Sequence, residues 1–300
     1  MAKTPSKGSA DTPLSKSTAT PPQNIYYYLK AGLCCLALFA AVAIFAFVCK
    51  ELVLNYFLLL IPGAMTTPWL IRAALSVLFL GVMTGIVAVC IRPLWMAMIV
   101  YLLAAATYPL IMGSTPTIWL AAALLALFFI GYLFSVNRLL KNQIKFSIHA
   151  LSDGKVLLFS AFAVLMSFAF ALGYTRDAAI RSYVVPPEIK TEIVSQITTN
   201  IDKSIDEGKA APQQKMLAKE SARKSIEELI NNYENLIKPH AASIPVILGI
   251  VSFSLFFFEF WAVAFITLLL LKLLFLILQK TGFIHMATEM REVKQPTLRD

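Results

Sequence analysis

Charged residues are scarce in this chain. Asp, Glu, Lys and Arg make up 14% of its 300 residues, whereas soluble domains carry about 25%. That shortage excludes an ordinary water-soluble fold. Histidine is scarcer still, and His149, His240 and His285 lie too far apart in the sequence to suggest one metal or haem site. There is no H-E-x-x-H pair, phosphate-binding glycine loop or nucleotide fingerprint, and no G-x-S-x-G nucleophile elbow. With no visible set of acid, base and nucleophile, an enzyme is the less expected class, and no metal or cofactor is expected. The four cysteines, Cys34, Cys35, Cys49 and Cys90, all lie within or beside apolar runs. A disulfide-stapled extracellular domain is therefore not indicated. The vicinal Cys34-Cys35 pair lacks the spacing of a zinc or redox motif. Asn-x-Ser/Thr acceptors are also absent, so glycosylation marks no face of the protein.

Apolar residues fill the space that charge leaves. They reach 58% of the chain, with a mean hydropathy of +0.73, the composition of an all-α polytopic membrane protein. The formal net charge is +9. Much of the basic excess sits in the N-terminal tail and in short loops between apolar runs. Membrane topology explains that placement, and no stacking platform beside a basic groove suggests nucleic acid. Membrane lipids are the expected surroundings.

About six spans follow from the hydropathy pattern. Residues 1–24, rich in Ser, Thr, Pro, Lys and Ala, are expected to form a disordered cytoplasmic tail. Residues 25–174 then carry a five-span bundle, with apolar runs at 31–49, 69–91, 94–112, 118–136 and 156–174. Each is near the ~20 residues that cross a bilayer as a helix. Residues 52–61 are too short to span; they either continue the first span, lie in the interface or dip in as a re-entrant piece. Frequent alanines, among them Ala104, Ala105, Ala121 and Ala122, suit close packing of the third and fourth spans. The basic loop between Asn137 and Lys155 carries a helical stripe of Leu139, Leu140, Ile144, Ile148 and Leu151. This pattern fits a short helix on the inner membrane surface. A long apolar run at 241–279 supplies the last span, and residues 280–300 form a mixed-charge tail. Basic residues at the N-terminus, at Arg92, in the 138–155 loop and after Lys280 place both termini in the cytoplasm.

The polar segment 175–240 then falls outside. It carries ten basic and ten acidic residues, so it is neutral, and its periodicity predicts a helical hairpin. Ile189, Ile193, Ile197, Ile201 and Ile205 recur every four residues, an apolar stripe on one helix. A second stripe contains Ile226, Leu229, Ile230, Tyr233 and Ile237, with Leu217 and Leu236 beside it. Pro186-Pro187 opens the first helix, Gly208 stops it and Pro212 suits the first turn of the second. Steps of four drift by about 40° each on a straight helix, so the first stripe is not a strict coiled-coil seam. The two helices are expected to pack on each other, with 186–238 offering a contact to a second copy or to another membrane protein.

One acid interrupts the last apolar run. Glu259 stands within Phe256-Phe257-Phe258-Glu259-Phe260-Trp261, and an ionisable residue inside a span is by default a candidate site. Three functional expectations result. The first is a membrane scaffold or partner-binding protein using the hairpin. The second is an oligomeric channel or transporter using Glu259, and the third is a membrane enzyme.

Overall fold

The computed structural model describes residues 25–60, 66–142, 151, 154–181, 183–207 and 212–281. The N-terminal tail, Pro62-Gly63, Ile144, Ile148, Gly208 and the tail after 281 lie outside these residues, as do His149 and His285. Every regular element among the described residues is helical. In chain order they are α1 (Ile25–Leu54), α2 (Phe57–Leu60), α3 (Thr66–Cys90), α4 (Leu94–Met112) and α5 (Pro116–Asn142). Then follow α6 (Lys155–Arg181), α7 (Pro187–Glu207), α8 (Pro212–Ile237), a 3-10 segment (Lys238–Ser243) and α9 (Ile244–Lys280).

Six helices among the described residues are long and apolar enough to cross a membrane. Most of the contributing helices are apolar all round rather than amphipathic, as expected of elements buried in lipid and in each other. Their exposed faces bear Leu, Ile, Phe and Trp, including Leu36, Phe47, Leu110, Leu127 and Phe258. In water such a surface would aggregate; in a bilayer it is the solvated surface. The chain is thus an all-α, multi-pass membrane protein.

Interior aromatic side chains organise the bundle. Phe45 of α1 packs against Phe162 of α6, with ring centroids 5.5 Å apart, and Phe129 of α5 meets Tyr101 of α4 at 5.2 Å. Helix α6 lies against α1, α5 and α9, and α3 lies against both α1 and α9. Several buried hydroxyls are satisfied within their own helices or by a neighbour's backbone, whereas the Tyr108 and Thr198 hydroxyls have no hydrogen-bond partner among the described residues. Thr84 donates to the Leu80 carbonyl (2.7 Å), and Tyr101 donates to the Thr84 carbonyl (2.7 Å). This is the solution a hydrocarbon environment demands, because an unpaired polar group there costs several kcal/mol.

Residues 52–54 continue α1 past Lys50 and Glu51, and Phe57–Leu60 form a separate helical turn. Helix α9 runs unbroken through Glu259, so the last apolar run is a single helix with no turn at the acid. Its 37 residues extend about 55 Å, well beyond a ~30 Å hydrocarbon core. At its start the chain stays in right-handed helical backbone: Ile237, Ser243 and Ile244 all lie in the αR region. Helix α8 therefore feeds into α9 through the 3-10 segment without a loop.

Successive helices reverse direction, so the ends of the bundle differ in chemistry. The end opposite the hairpin gathers Lys30, Arg92, Arg138 and Lys280. There the Arg92 backbone N–H donates to the Tyr27 hydroxyl (2.9 Å), and Arg92 Nη1 donates to Asn137 Oδ1 (2.8 Å). The start of α1 and the end of α9 both lie at this end.

Candidate functional site

The site is built where α6 hands the chain to the hairpin. Tyr174 and Asp177 lie on the last turns of α6, three residues apart and so on one face. Asp177 collects three donors. Its Oδ2 accepts from the Tyr183 hydroxyl (2.6 Å) and the Tyr56 hydroxyl (3.1 Å), while its Oδ1 pairs with Arg181 Nε (3.1 Å). The Tyr56 and Tyr183 hydroxyls also contact each other. Arg181 reaches onward to Glu188 Oε1 (2.7 Å) at the start of α7. Tyr174 donates to the Val184 carbonyl (2.6 Å). Burial, ahead of the neighbouring carboxylate, raises the Tyr56 hydroxyl to about 12 and raises Tyr183 in the same direction. Both phenols thus remain protonated donors at neutral pH.

A second clamp holds the hairpin's own two helices together. Lys190 of α7 pairs with Glu234 of α8, and Glu234 also receives the Val184 backbone N–H (3.5 Å). Charge-assisted bonds of this kind are the stronger hydrogen bonds. The Lys190 ammonium, its largest influence, holds the Glu234 carboxyl below the usual carboxylate value. A depressed folded-state value means the stabilisation is complete above the unfolded value and is lost as pH falls through the folded one. Acidification below the ordinary glutamate range is therefore expected to loosen the base of the hairpin before the apolar bundle, measured as faster amide exchange at 184–190. Lys190→Met should remove that pH dependence.

The hairpin helices pack through a seam that differs from the isoleucine stripe. The residues turned inward on α7 are Lys190, Val194, Thr198 and Ile201, all buried or half-buried. On α8 they are Ile226, Ile230 and Glu234. Steps of four, four and three follow a helix face more closely than unbroken steps of four, which rotate off it. Ile189 and Ile201 are half-buried, whereas Ile193 and Ile197 are 42% and 40% exposed. The Ile205 side chain lies outside the described residues. On α8, Leu229, Tyr233, Leu236 and Ile237 remain exposed, at 55%, 60%, 70% and 37%.

These exposed residues form one face rather than two. At 100° per residue, Ile193 and Ile197 lie roughly 75° to one side of the α7 seam. Leu229, Tyr233 and Leu236 lie roughly 90° from the α8 seam in the same rotational sense. Because the helices are antiparallel, equal rotations bring both flanks to the same side of the hairpin. The Lys190–Glu234 pair sets the register, so Val194 stands level with Ile230, and Ile193 falls between Leu229 and Tyr233. An open depression of about 380 Å³ runs along this flank of α8, lined by Ser225, Glu228, Leu229, Asn232, Tyr233 and Leu236.

Glu259 occupies a different part of the molecule. Helices α3 and α9 run parallel: Trp69 packs on Phe256, with ring centroids 6.2 Å apart, and a Cβ at Gly85 would lie 2.9 Å from Leu271 Cδ1. That register sets Glu259 level with Ala73, about 10 Å along α3 from its hairpin-side start. The carboxyl is half-buried and has no hydrogen-bond or ion-pair partner among the described residues. Arg72, at nearly the same depth, is paired with Glu51 (3.1 Å). Among the described residues no cluster of His, Cys, Asp and Glu could hold a metal ion, and all four cysteines are free thiols.

The fold and these features define an all-α, helical membrane-spanning protein with several long apolar helices. No protein-family model, curated protein or solved structure matches the chain.

Proposed function

We propose that the chain is an integral membrane scaffold whose hairpin docks a partner through its apolar face. The observation carrying this reading is the co-facial exposure of Ile193, Ile197, Leu229, Tyr233 and Leu236 on a hairpin fixed at its base by Asp177 and by the Lys190–Glu234 pair. An apolar patch on a water-facing surface marks an interaction site, and a fixed base presents it at small ordering cost. The distribution of basic residues supports placing both termini in the cytoplasm and the hairpin outside. The domain reading follows: a bundle through 25–174, the hairpin at 175–240, a long last span at 241–279 and tails at either end. Single cysteines at 229 and 236 are expected to resist an impermeant maleimide in intact membranes, while one at 224 reacts. Equal reaction at all three positions would contradict docking.

A second reading, an oligomeric channel or transporter, is favoured by one observation: the half-buried Glu259 carboxyl has no partner among the described residues. Intramembrane acids often mark ion or proton paths. If Glu259 serves such a path, Glu259→Gln abolishes ion flux in reconstituted vesicles; unchanged flux removes this reading. Neither reading requires a catalytic set, and the chain is proposed to be no enzyme.

A further inference from the structure

We propose that the occupant of the hairpin's apolar face is a second copy of this chain, so that two hairpins form a four-helix bundle outside the membrane plane. This rests on the docking reading above and adds the identity of the partner.

Three observations select a second copy. The first is size. Ile193, Ile197, Leu229, Tyr233 and Leu236, with exposures between 40% and 70%, present on the order of 500 Å² of apolar surface, near the upper end of patches found on monomers. Two such faces with their polar rims reach the ~1,200–2,000 Å² of a specific interface.

The second is charge. Residues 175–240 hold ten bases and ten acids, so two copies meet without net repulsion. A two-fold axis along the membrane normal sets α7 of one copy against α8 of the other at equal height. The register fixed by Lys190 and Glu234 then brings Glu192 opposite the second copy's Asn232, and Gln196 opposite the second copy's Glu228. Both rim pairs match an amide with a carboxylate, and neither opposes like charges. Cyclic two-fold symmetry uses the same face on both copies and closes after two.

The third is placement. Helix α8 runs into the 3-10 segment and α9 without leaving αR backbone, and α6 is tied to the hairpin base through the Tyr183–Asp177 bond and the Arg181–Glu188 pair. The apolar spans hold every copy in the same plane and orientation. Each hairpin therefore presents its face at the same height as the next, and confinement raises the effective concentration of one face for the other.

The test uses the full chain in phosphatidylcholine vesicles, with subunits counted by stepwise photobleaching at graded lipid dilution. The expected result is a dimer whose dissociation midpoint shifts by tenfold or more, about 1.4 kcal/mol, in Leu229→Ser/Tyr233→Ser/Leu236→Ser. A paired experiment guards against unfolding of that variant. Ile193→Cys in one tagged copy is expected to form an intermolecular disulfide with Leu229→Cys in a second, whereas Thr199→Cys with Lys224→Cys, on the other flanks, does not. A wild-type chain that stays monomeric at every dilution overturns the proposal, as does cross-linking that is equal for both pairs. If that monomer still shields position 229 from maleimide in native membranes, docking stands with a different occupant. If position 229 reacts freely, the docking reading falls as well.

Discussion

Asp177→Ala is expected to free the hairpin from the bundle while leaving the helices folded. The substitution takes away the acceptor for the Tyr56 and Tyr183 hydroxyls and the partner of Arg181. Hydrogen bonds to a charged group are worth about 1.5–3 kcal/mol each. Loss of two part-buried bonds should cost on the order of 3 kcal/mol, or roughly a hundredfold more frequent opening of the joint. Amide hydrogen exchange at 183–190 should accelerate accordingly, with exchange in the middle of α6 unchanged. Asp177→Asn keeps a side-chain carbonyl for the phenols and should recover part of the protection. Unchanged exchange in Asp177→Ala would mean that the hairpin is held by something other than this joint.

Gly173→Leu is expected to cause the largest loss of stability in the bundle. A Cβ at this position would lie 2.7 Å from the Val53 carbonyl oxygen, 3.0 Å from Val53 Cα and 3.1 Å from Tyr56 Cβ. Two of these three atoms are backbone, so no rotamer change relieves the contact, and α1 and α6 must separate. Overpacking costs about 1–3 kcal/mol where side chains can adjust, and here the obstacle cannot adjust. The displacement also moves Tyr56, so the hairpin joint weakens with it. Thermal unfolding in lipid should shift sharply downward for Gly173→Leu. Gly249→Ala is the control, because its Cβ would meet only Ala171 Cβ at an ordinary 3.8 Å. If the two variants melt alike, the close approach of α1 and α6 is not a determinant of stability.

The helical membrane class was legible in the sequence because hydrocarbon imposes long uncharged runs, and such runs are read directly from composition. A hairpin was legible for a similar reason: Pro187 and Pro212 open its two helices, and isoleucine periodicity marks them as helical. Which face pairs inward was not legible from apolar residues alone. The seam includes Lys190, Thr198 and Glu234, polar residues whose burial depends on the opposite helix of the hairpin, 44 positions away for the Lys190–Glu234 pair. Ile193 and Ile197 carry the same hydrophobic signal as a core stripe, yet they stand on the outer flank. The joint was invisible for the same cause. Tyr56 and Asp177 are 121 residues apart, and no local pattern relates them. The depth of Glu259 likewise needed the α3–α9 register, since counting from the ends of a 37-residue helix does not say which part faces lipid.

A docked hairpin has its apolar flank covered in the membrane. Maleimide accessibility in intact membranes, with an impermeant reagent and single cysteines at 224, 229 and 236, tests it most directly. Rapid labelling is expected at 224, with protection at 229 and 236 that disappears in mild detergent. Equal, rapid labelling at all three would leave the flank open to solvent and contradict the claim.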